Sequence, residues 1–504
     1  MRRTMTLLVA IALGLSSLGC GGREEPDGDG DGDADGDTDG DGDADGDSDT
    51  GADSDGDDDG AADGDADADG RFAECGWIVG FGGESDDSGT DIALDAAGNV
   101  YVTGIVMETV DFGGGPVAAS GSEVFVASYS SDGAYRWHAL LGASQYIVGE
   151  KLHVAVDEEG SSYVVGTFTG TADLPDGPQT SAGQGDVFLV SLDSHGGVRW
   201  SETIGGADDD RAGTVVVDSS GVHVVCSFRD SLTVAGETFT SVGRDDLVIV
   251  RYSTDGAPER AASYGGEYED SASAAAIAGD GDLIITGMGS GIDFGAGNIG
   301  GEFGSSYIAR FASDGSHEWS SLLTTGSVAE PMGIAVNADG DVFVVGEFRG
   351  GITIGDETHL STDAYDVFMV SLTVAGEVLW SESFGGEGSF SLGAMDSGQG
   401  VIADADGNMV VVGYYGGALD LGGGQLLTTN FIEVFMGAFT PTGEHLWSER
   451  LGSQFEDDRC LDIALGADGS IVLTGDFGGT LDACGDQVTA TGEGRYSDVF
   501  VLEL

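Results

Sequence analysis

The sequence predicts an all-β protein: a closed ring of seven four-stranded antiparallel blades, a β-propeller. Three observations predict it. One stretch recurs about every sixty residues; each copy carries short β-branched and aromatic runs bounded by Gly and Asp; and no segment has helical periodicity. LDSHGGVRWSETIGG at 192–206 and LTVAGEVLWSESFGG at 372–386 are two copies of the same unit. Aligned on this stretch, the units are anchored at Trp77, Trp137, Trp200, Arg260, Trp319, Trp380 and Trp447, which include all six tryptophans and one substitution.

Within one unit the elements follow in order. Strand a is DIAL (91–94), a DAAG turn leads to strand b, NVYVTG (99–104), and a long Gly-rich loop precedes strand c, EVFVASY (123–129). An SSDG turn then enters strand d at Trp137. A glycine stands four residues before each internal anchor (Gly133, Gly196, Gly256, Gly315, Gly376, Gly443), where a tight hairpin needs positive φ. Radial repetition of such units leaves only short, protected edges. The last copy ends in strand c, DVFVLEL (498–504), and the first begins with strand d, WIVGFGG (77–83), so the N-terminal strand is expected to complete the seventh blade.

The pattern of Trp, then FGG, then D-x-x-G-N-V-Y-V-T-G resembles the SBBP family of bacterial β-propeller repeats. Trp77, Gly82, Gly83, Asp95, Gly98, Asn99, Tyr101 and Gly104 carry it most clearly. The resemblance covers residues 71–504 and implies the fold and an exported bacterial protein, without implying an activity. Segments such as VSLDSHGGVRW also resemble pyrroloquinoline-quinone-type propellers, but those repeats are shorter, and this chain has no adjacent cysteine pair to sit against a quinone.

The chain of 504 residues carries a formal charge of -73 with 17 Lys and Arg, so it should repel phosphate backbones and attract divalent cations or basic partners. Nucleic acid is excluded as a partner. Residues 1–19 have the grammar of an export signal: Arg2 and Arg3, then an apolar run too short to span a bilayer. Ser17-Leu18-Gly19-Cys20 resembles a bacterial lipoprotein box, with leucine two places before the cysteine rather than three. Lipidation of Cys20 is therefore expected, with the acyl chains as the only membrane attachment, at the outer membrane or cell surface. Residues 20–70 follow as a disordered linker, whose 27–70 portion holds 21 Asp, 12 Gly, 7 Ala and 4 Ser or Thr. Its alternation puts Gly, Ala, Ser or Thr where an EF-hand needs its last carboxylate, so loose Ca²⁺ condensation is expected rather than a folded site.

In the folded part, six acidic residues open strand c at equivalent places: Glu123, Asp186, Asp246, Asp366, Glu433 and Asp498, with Ser305 as the seventh. One reading is a ring of oxygen ligands for Ca²⁺ or a cationic ligand. The other is that each carboxylate satisfies backbone N–H groups in the b–c loop. The d–a loops (GGESDD, GGADDD, GGEYED, SQFEDD) lie on the same face and are acidic too. No catalytic residue and no resident metal can be assigned, and Ca²⁺ is the one cofactor these positions suggest. The seven histidines fall at different registers without H-E-x-x-H, no G-x-S-x-G occurs, and the G-x-G-x-x-G at Gly295–Gly300 lies in a b–c loop with no helix after it. The Trp set is read as blade-to-blade packing rather than an aromatic binding ring. Cys460 and Cys484 are expected to pair, because the topology puts both on one face, with Cys75 entering from the other and Cys226 buried in a b strand.

These observations point to a non-enzymatic, envelope-anchored binding or display module with one acidic face, taking a cationic or cation-bridged protein or glycan. The alternative is an extracellular polysaccharide hydrolase or lyase using carboxylates from several blades.

Overall fold

The computed structural model describes residues 75–143, 146–147, 152–174, 176–301, 303–362, 364–386, 395–453, 456–491 and 496–504. The signal segment, Cys20 and the acidic linker lie outside the described residues. The described chain is all β, a seven-bladed propeller of antiparallel sheets. Strands a to d of blade 1 are Ser88–Leu94, Val100–Val110, Val117–Tyr129 and Tyr135–Ala143. Those of blade 2 are His153–Val156, Ser162–Leu174, Gly177–Leu192 and Val198–Ile204, and of blade 3 Arg211–Asp218, Gly221–Val234, Glu237–Tyr252 and Pro258–Tyr264. Blade 4 has Ser271–Ile277, Leu283–Met288, Ser306–Phe311 and His317–Gly326; blade 5 has Ala329–Val336, Val342–Phe348, Asp366–Leu372 and Val378–Phe384. Blade 6 has Ser397–Ala403, Met409–Asp420, Gln425–Phe439 and His445–Leu451. Successive a strands are neighbours all the way round, blade 7 to blade 1 included, and so line the central channel.

Blade 7 is assembled from both chain ends. Its strands a to c are Asp458–Leu465, Ile471–Phe477 and Asp498–Glu503, and its strand d is the N-terminal Trp77–Phe81. The register runs from Trp77 opposite Glu503 to Phe81 opposite Val499, so main-chain bonds close the ring as the repeat phase predicts.

The segment between strands b and c differs from the expected loop. In each blade a residue with positive φ (Glu108, Gly170, Asp230, Gly291, Gly350, Gly417, Gly479) kinks the chain beyond strand b. Beyond the kink a hairpin arm begins, and in blades 1, 2, 3 and 6 it simply prolongs strands b and c. Every arm buries two apolar side chains at i and i+2, such as Val110 and Phe112, Ile352 and Ile354, or Leu419 and Leu421. The blade 5 arm also pairs with strand d of blade 4, through Thr325 opposite Thr353.

The blade 7 arm corrects the expected disulfide. Its strands Thr480–Ala483 and Asp486–Thr489 double back over the sheet, and a Cβ on Gly80 would stand 2.9 Å from Val488 Cβ. The tip therefore reaches the far end of strand d, and Cys484 bonds Cys75 instead of Cys460, with Cα atoms 4.6 Å apart. Cys460 is a buried free thiol on strand a, close to the Asp462 and Thr474 carbonyls. Cys226 is also free and buried, as expected.

The tryptophans bind blade to blade. Five of the six indole N–H groups donate to a carbonyl in the c–d turn of the next blade: Trp77 to Ser131 (3.1 Å), Trp137 to Ser194 (2.9 Å), Trp200 to Thr254 (3.0 Å), Trp319 to Val374 (3.1 Å) and Trp380 to Pro441 (2.8 Å). Trp447 precedes blade 7, whose strands c and d are not joined by a turn. The ring lies flat on the turn glycine. A Cβ on Gly196 would come within 2.6 Å of Trp137, so this glycine supplies close approach as well as its φ of 80°.

Two outcomes follow. Trp137→Ala should lower stability by about 3–5 kcal/mol in denaturant titration, as for other large-to-small changes of buried aromatics. Cys75→Ser should lower it by about 2–5 kcal/mol, because the bond closes a very long loop and pins the closing strand; Cys460→Ser should leave the disulfide intact in non-reducing peptide mapping.

Candidate functional site

The face bearing the b–c arms and d–a connections holds the acidic residues singled out above, and its geometry begins with the paired glycines after strand d. The first leaves room for the carboxylate that opens strand c: a Cβ on Gly205, Gly265 or Gly385 would stand 2.2, 2.1 or 2.2 Å from the Cγ of Asp186, Asp246 or Asp366. The second leaves room for the arm of the next blade, as a Cβ on Gly206 would lie 2.1 Å from the Ser231 carbonyl. FGG is thus a steric requirement at a blade junction.

All six ring carboxylates are buried. Asp186 accepts from Ala182 N–H (2.9 Å), Asp246 from Val242 N–H (2.9 Å), Asp366 from Thr362 N–H (2.9 Å), and Asp498 from Thr491 N–H and hydroxyl (both 2.8 Å). Glu123 accepts from Ser120 N–H (2.8 Å), and Glu433 from the Arg450 guanidinium (2.7 Å). The first five therefore fasten the base of their own arms, whereas Glu433 is tied to strand d of its blade. Burial pushes the Asp186, Asp246 and Asp498 carboxyls up, against the backbone donors that favour the charged form. Among the described residues no three His, Cys, Asp or Glu side chains converge as a metal cluster would require.

A second set of carboxylates, the last Asp of each acidic d–a loop, is just as inward. Asp87 accepts from Gly83 N–H (2.6 Å) at the end of blade 7 and from Met107 N–H (2.7 Å) in strand b of blade 1. Asp210, Asp270, Asp396 and Asp458 repeat the arrangement at four more seams, for example Asp270 with Gly266 N–H (2.7 Å) and Ser290 N–H (3.2 Å). One side chain thus stitches two blades through two buried amides. Burial pushes Asp87, Asp210, Asp270 and Asp458 each up to about 7.

The central channel holds a cluster that the repeat alignment passes over. At one register of strand a, consecutive blades 7, 1 and 2 carry Asp462, Asp91 and His153, whereas blades 3 to 6 carry Thr214, Ala274, Gly333 and Gly400. Asp91 accepts from Ile92 N–H (2.8 Å) and from Val154 N–H (2.8 Å) of the next blade, and its Oδ2 lies 3.1 Å from His153 Nδ1. Asp462 likewise reaches forward to Ile92 N–H (3.0 Å). Burial raises both carboxyls, and a hydrogen bond joins them, so the pair keeps a shared proton well above the usual carboxylate range. Their oxygens are engaged by main-chain donors of neighbouring blades, which makes the cluster a seam bond. The repeat pattern does not reveal it, because the other blades carry different residues at this register and Asp462 joins Asp91 and His153 only when the ring closes.

What remains in solvent on this face is a different set. Glu84, Asp86, Glu267, Glu269 and Asp457 are exposed in the d–a loops. Among them stand exposed apolar side chains, notably Val242 (75 %), Phe303 (74 %), Leu360 (71 %) and Tyr268 (51 %). Arg244 N–H donates to the Tyr268 carbonyl (3.3 Å), so Val242 and Tyr268 belong to adjoining segments.

Comparison with protein-family models and with curated proteins gives no match. Solved structures with this architecture include an ulvan lyase bound to a -[GlcA(1-4)Rha3S]- ligand (12% identity, TM-score 0.43, covering 83% of this chain and 97% of that one). A virginiamycin B lyase from Staphylococcus aureus is similar at 11% identity and TM-score 0.39, covering 85% and 98%. Drosophila Semaphorin 2a is similar at 9% identity and TM-score 0.39, covering 79% and 74%. They share the propeller fold.

The buried aspartates set a pH dependence. The folded chain holds protons on Asp87, Asp210, Asp270 and Asp458 up to about pH 7, while the unfolded chain releases them near pH 4. Their contribution to stability is therefore present below about pH 4 and lost as pH rises to about 7. Asp270→Asn should flatten the change in unfolding free energy between pH 5 and pH 8 relative to wild type.

Proposed function

We propose that this chain is a non-enzymatic, envelope-anchored binding module of the SBBP-repeat kind. A lipid on Cys20 would hold it to the membrane, residues 20–70 would space it away, and the b–c/d–a face of the propeller would take a cationic or cation-bridged partner. The observation that carries this reading is the division of labour among the carboxylates. The ring carboxylates are buried, five of the six on backbone amides, whereas Glu84, Asp86, Glu267, Glu269 and Asp457 are exposed beside exposed apolar groups, Glu269 in an ion pair with Arg244 and Asp86 and Asp457 accepting from Ser497 N–H and Ile432 N–H.

Acidic loops around apolar anchors suit recognition of a basic surface: the charges speed and orient encounter, and the apolar groups supply contact area. Chemistry on a polymer would instead need free carboxylates poised across a cleft, and the six ring carboxylates are buried and bonded inward.

The test compares capture of envelope components by the full-length chain and by a Glu267→Lys, Tyr268→Ala, Glu269→Lys variant that melts as wild type does. Specific, salt-sensitive capture by wild type, reduced about tenfold or more in the variant, is the expected result. Equal capture by both, or a polysaccharide-cleaving activity of the wild type, would overturn the proposal.

A further inference from the structure

The one repeat that breaks the tryptophan pattern also departs from the buried polar row of the two blades before it. In blade 1 the cross-strand row that faces the next blade reads Ala93, Tyr101, Ser128, Trp137, and in blade 2 it reads Ala155, Tyr163, Ser191, Trp200. The Tyr101 hydroxyl there reaches Asp95 (3.2 Å) and the Gly160 carbonyl of blade 2 (3.0 Å), and the Tyr163 hydroxyl reaches Asp157 (2.9 Å). In blade 3 the row reads Val216, His223, Arg251, Arg260. An imidazole has replaced the phenol, and two guanidinium groups have replaced the serine and the indole.

His223 is 2% exposed, and neither ring nitrogen has a hydrogen-bond partner. Asp218 is the nearest carboxylate, with Oδ1 3.9 Å from Nε2, but that oxygen already accepts from Ser220 N–H (2.7 Å), the Ser220 hydroxyl (2.5 Å) and Gly221 N–H (3.0 Å). Across the row, Arg251 is paired to Glu259 (3.3 Å). Arg260 lies on the blade 4 turn, where a Cβ on Gly315 would stand 2.2 Å from its Cζ, with Asp314 as its nearest acidic neighbour on that turn. On the facing a–b turn of blade 4, Asp280 and Asp282 are both held by Arg310, which also pairs with Glu318. None of these acids bonds the imidazole.

We propose that the seam between blades 3 and 4 is an acid-sensitive joint, closed while the His223 imidazole is neutral and loosened when it takes a second ring proton. Protonation turns both ring nitrogens into donors with no acceptor, and adds a third cation to a row in which cross-strand neighbours stand about 5 Å apart. Burial already lowers the His223 pKa; Asp218 opposes this, and Arg251 and Arg260 reinforce it. A depressed histidine contributes stability that is present above about pH 6.5 and lost as pH falls through its folded value. This is opposite in sign to the buried aspartates, and the seam lacks an indole-to-carbonyl bond to hold it shut.

The test is hydrogen–deuterium exchange of the full-length chain at pH 7.5 and pH 5.0, corrected for intrinsic rates. The turns of blade 4 at 278–282 and 312–316 should lose about tenfold or more in protection at the lower pH, while the matching turns of blade 2 at 157–161 and 193–197 should not. His223→Tyr, which restores the phenol of blades 1 and 2, should abolish that loss; His223→Gln, neutral at both pH values, serves if the larger side chain does not fit. Equal protection at both pH values in wild type, or the same loss in both variants, would overturn the proposal.

Discussion

A blade of this protein has two apolar faces and can bury both only between two other blades. That requirement is met nowhere in a row with free ends, so the chain must return on itself, and the pairing of Trp77–Phe81 with Asp498–Glu503 is the interaction on which the other seams depend. Without it, the apolar clusters flanking blade 7 would each lose a wall, including Phe81, Val499 and Val501 on one side and Ile78, Phe500 and Leu502 on the other. The closing strand precedes every other described strand in the chain, and its partner lies 409 residues away by the measure of the disulfide beside it. Long-range pairing of this kind is slow to form. A covalent clip at Cys75 and Cys484 holds the result once it is reached.

The other seams draw, in different combinations, on one vocabulary of small parts. An indole donates to the next turn over a glycine, two glycines admit a carboxylate and a neighbouring arm, and an aspartate bridges amides from two blades. Because these parts are polar and directional, they fix the angle between blades, while the apolar clusters between sheets provide most of the attraction. The acidic side chains of the described residues therefore fall into two sets. Some are buried and bonded at the seams. Others stand on the loops that face water.

Much of this was legible in the sequence. The blade number, strands b and c, the turn glycines and the closing strand all follow from repeat phase, because every copy must place the same residue types at the same register. The arms were not legible: their paired apolar residues, such as Leu481 and Ala483, are set among Gly, Asp and Thr and look like a loop until the kink at Gly479 aligns them. The disulfide was misassigned for the same reason, since an arm taken for a loop leaves Cys484 at the wrong end of the blade. The ring of Asp186, Asp246 and Asp366 was legible as a pattern open to two readings, of which satisfaction of loop amides was the preferred one. Only the direction of each side chain separates a ligand ring from an arm fastener. Asp91, His153 and Asp462 did not stand out as a cluster, because the repeat pattern does not share these residue types at that register and Asp462 joins the other two only across the closed ring.

The most direct measurement of this account is residue-level hydrogen exchange of the amides in Trp77–Phe81 and Asp498–Glu503 under reducing and non-reducing conditions. The account predicts protection at both segments comparable to that of strands b and c in blades 2 and 3, persisting at least in part after reduction. Exchange at the rate of free chain ends in either segment, with the remaining blades still protected, would contradict it.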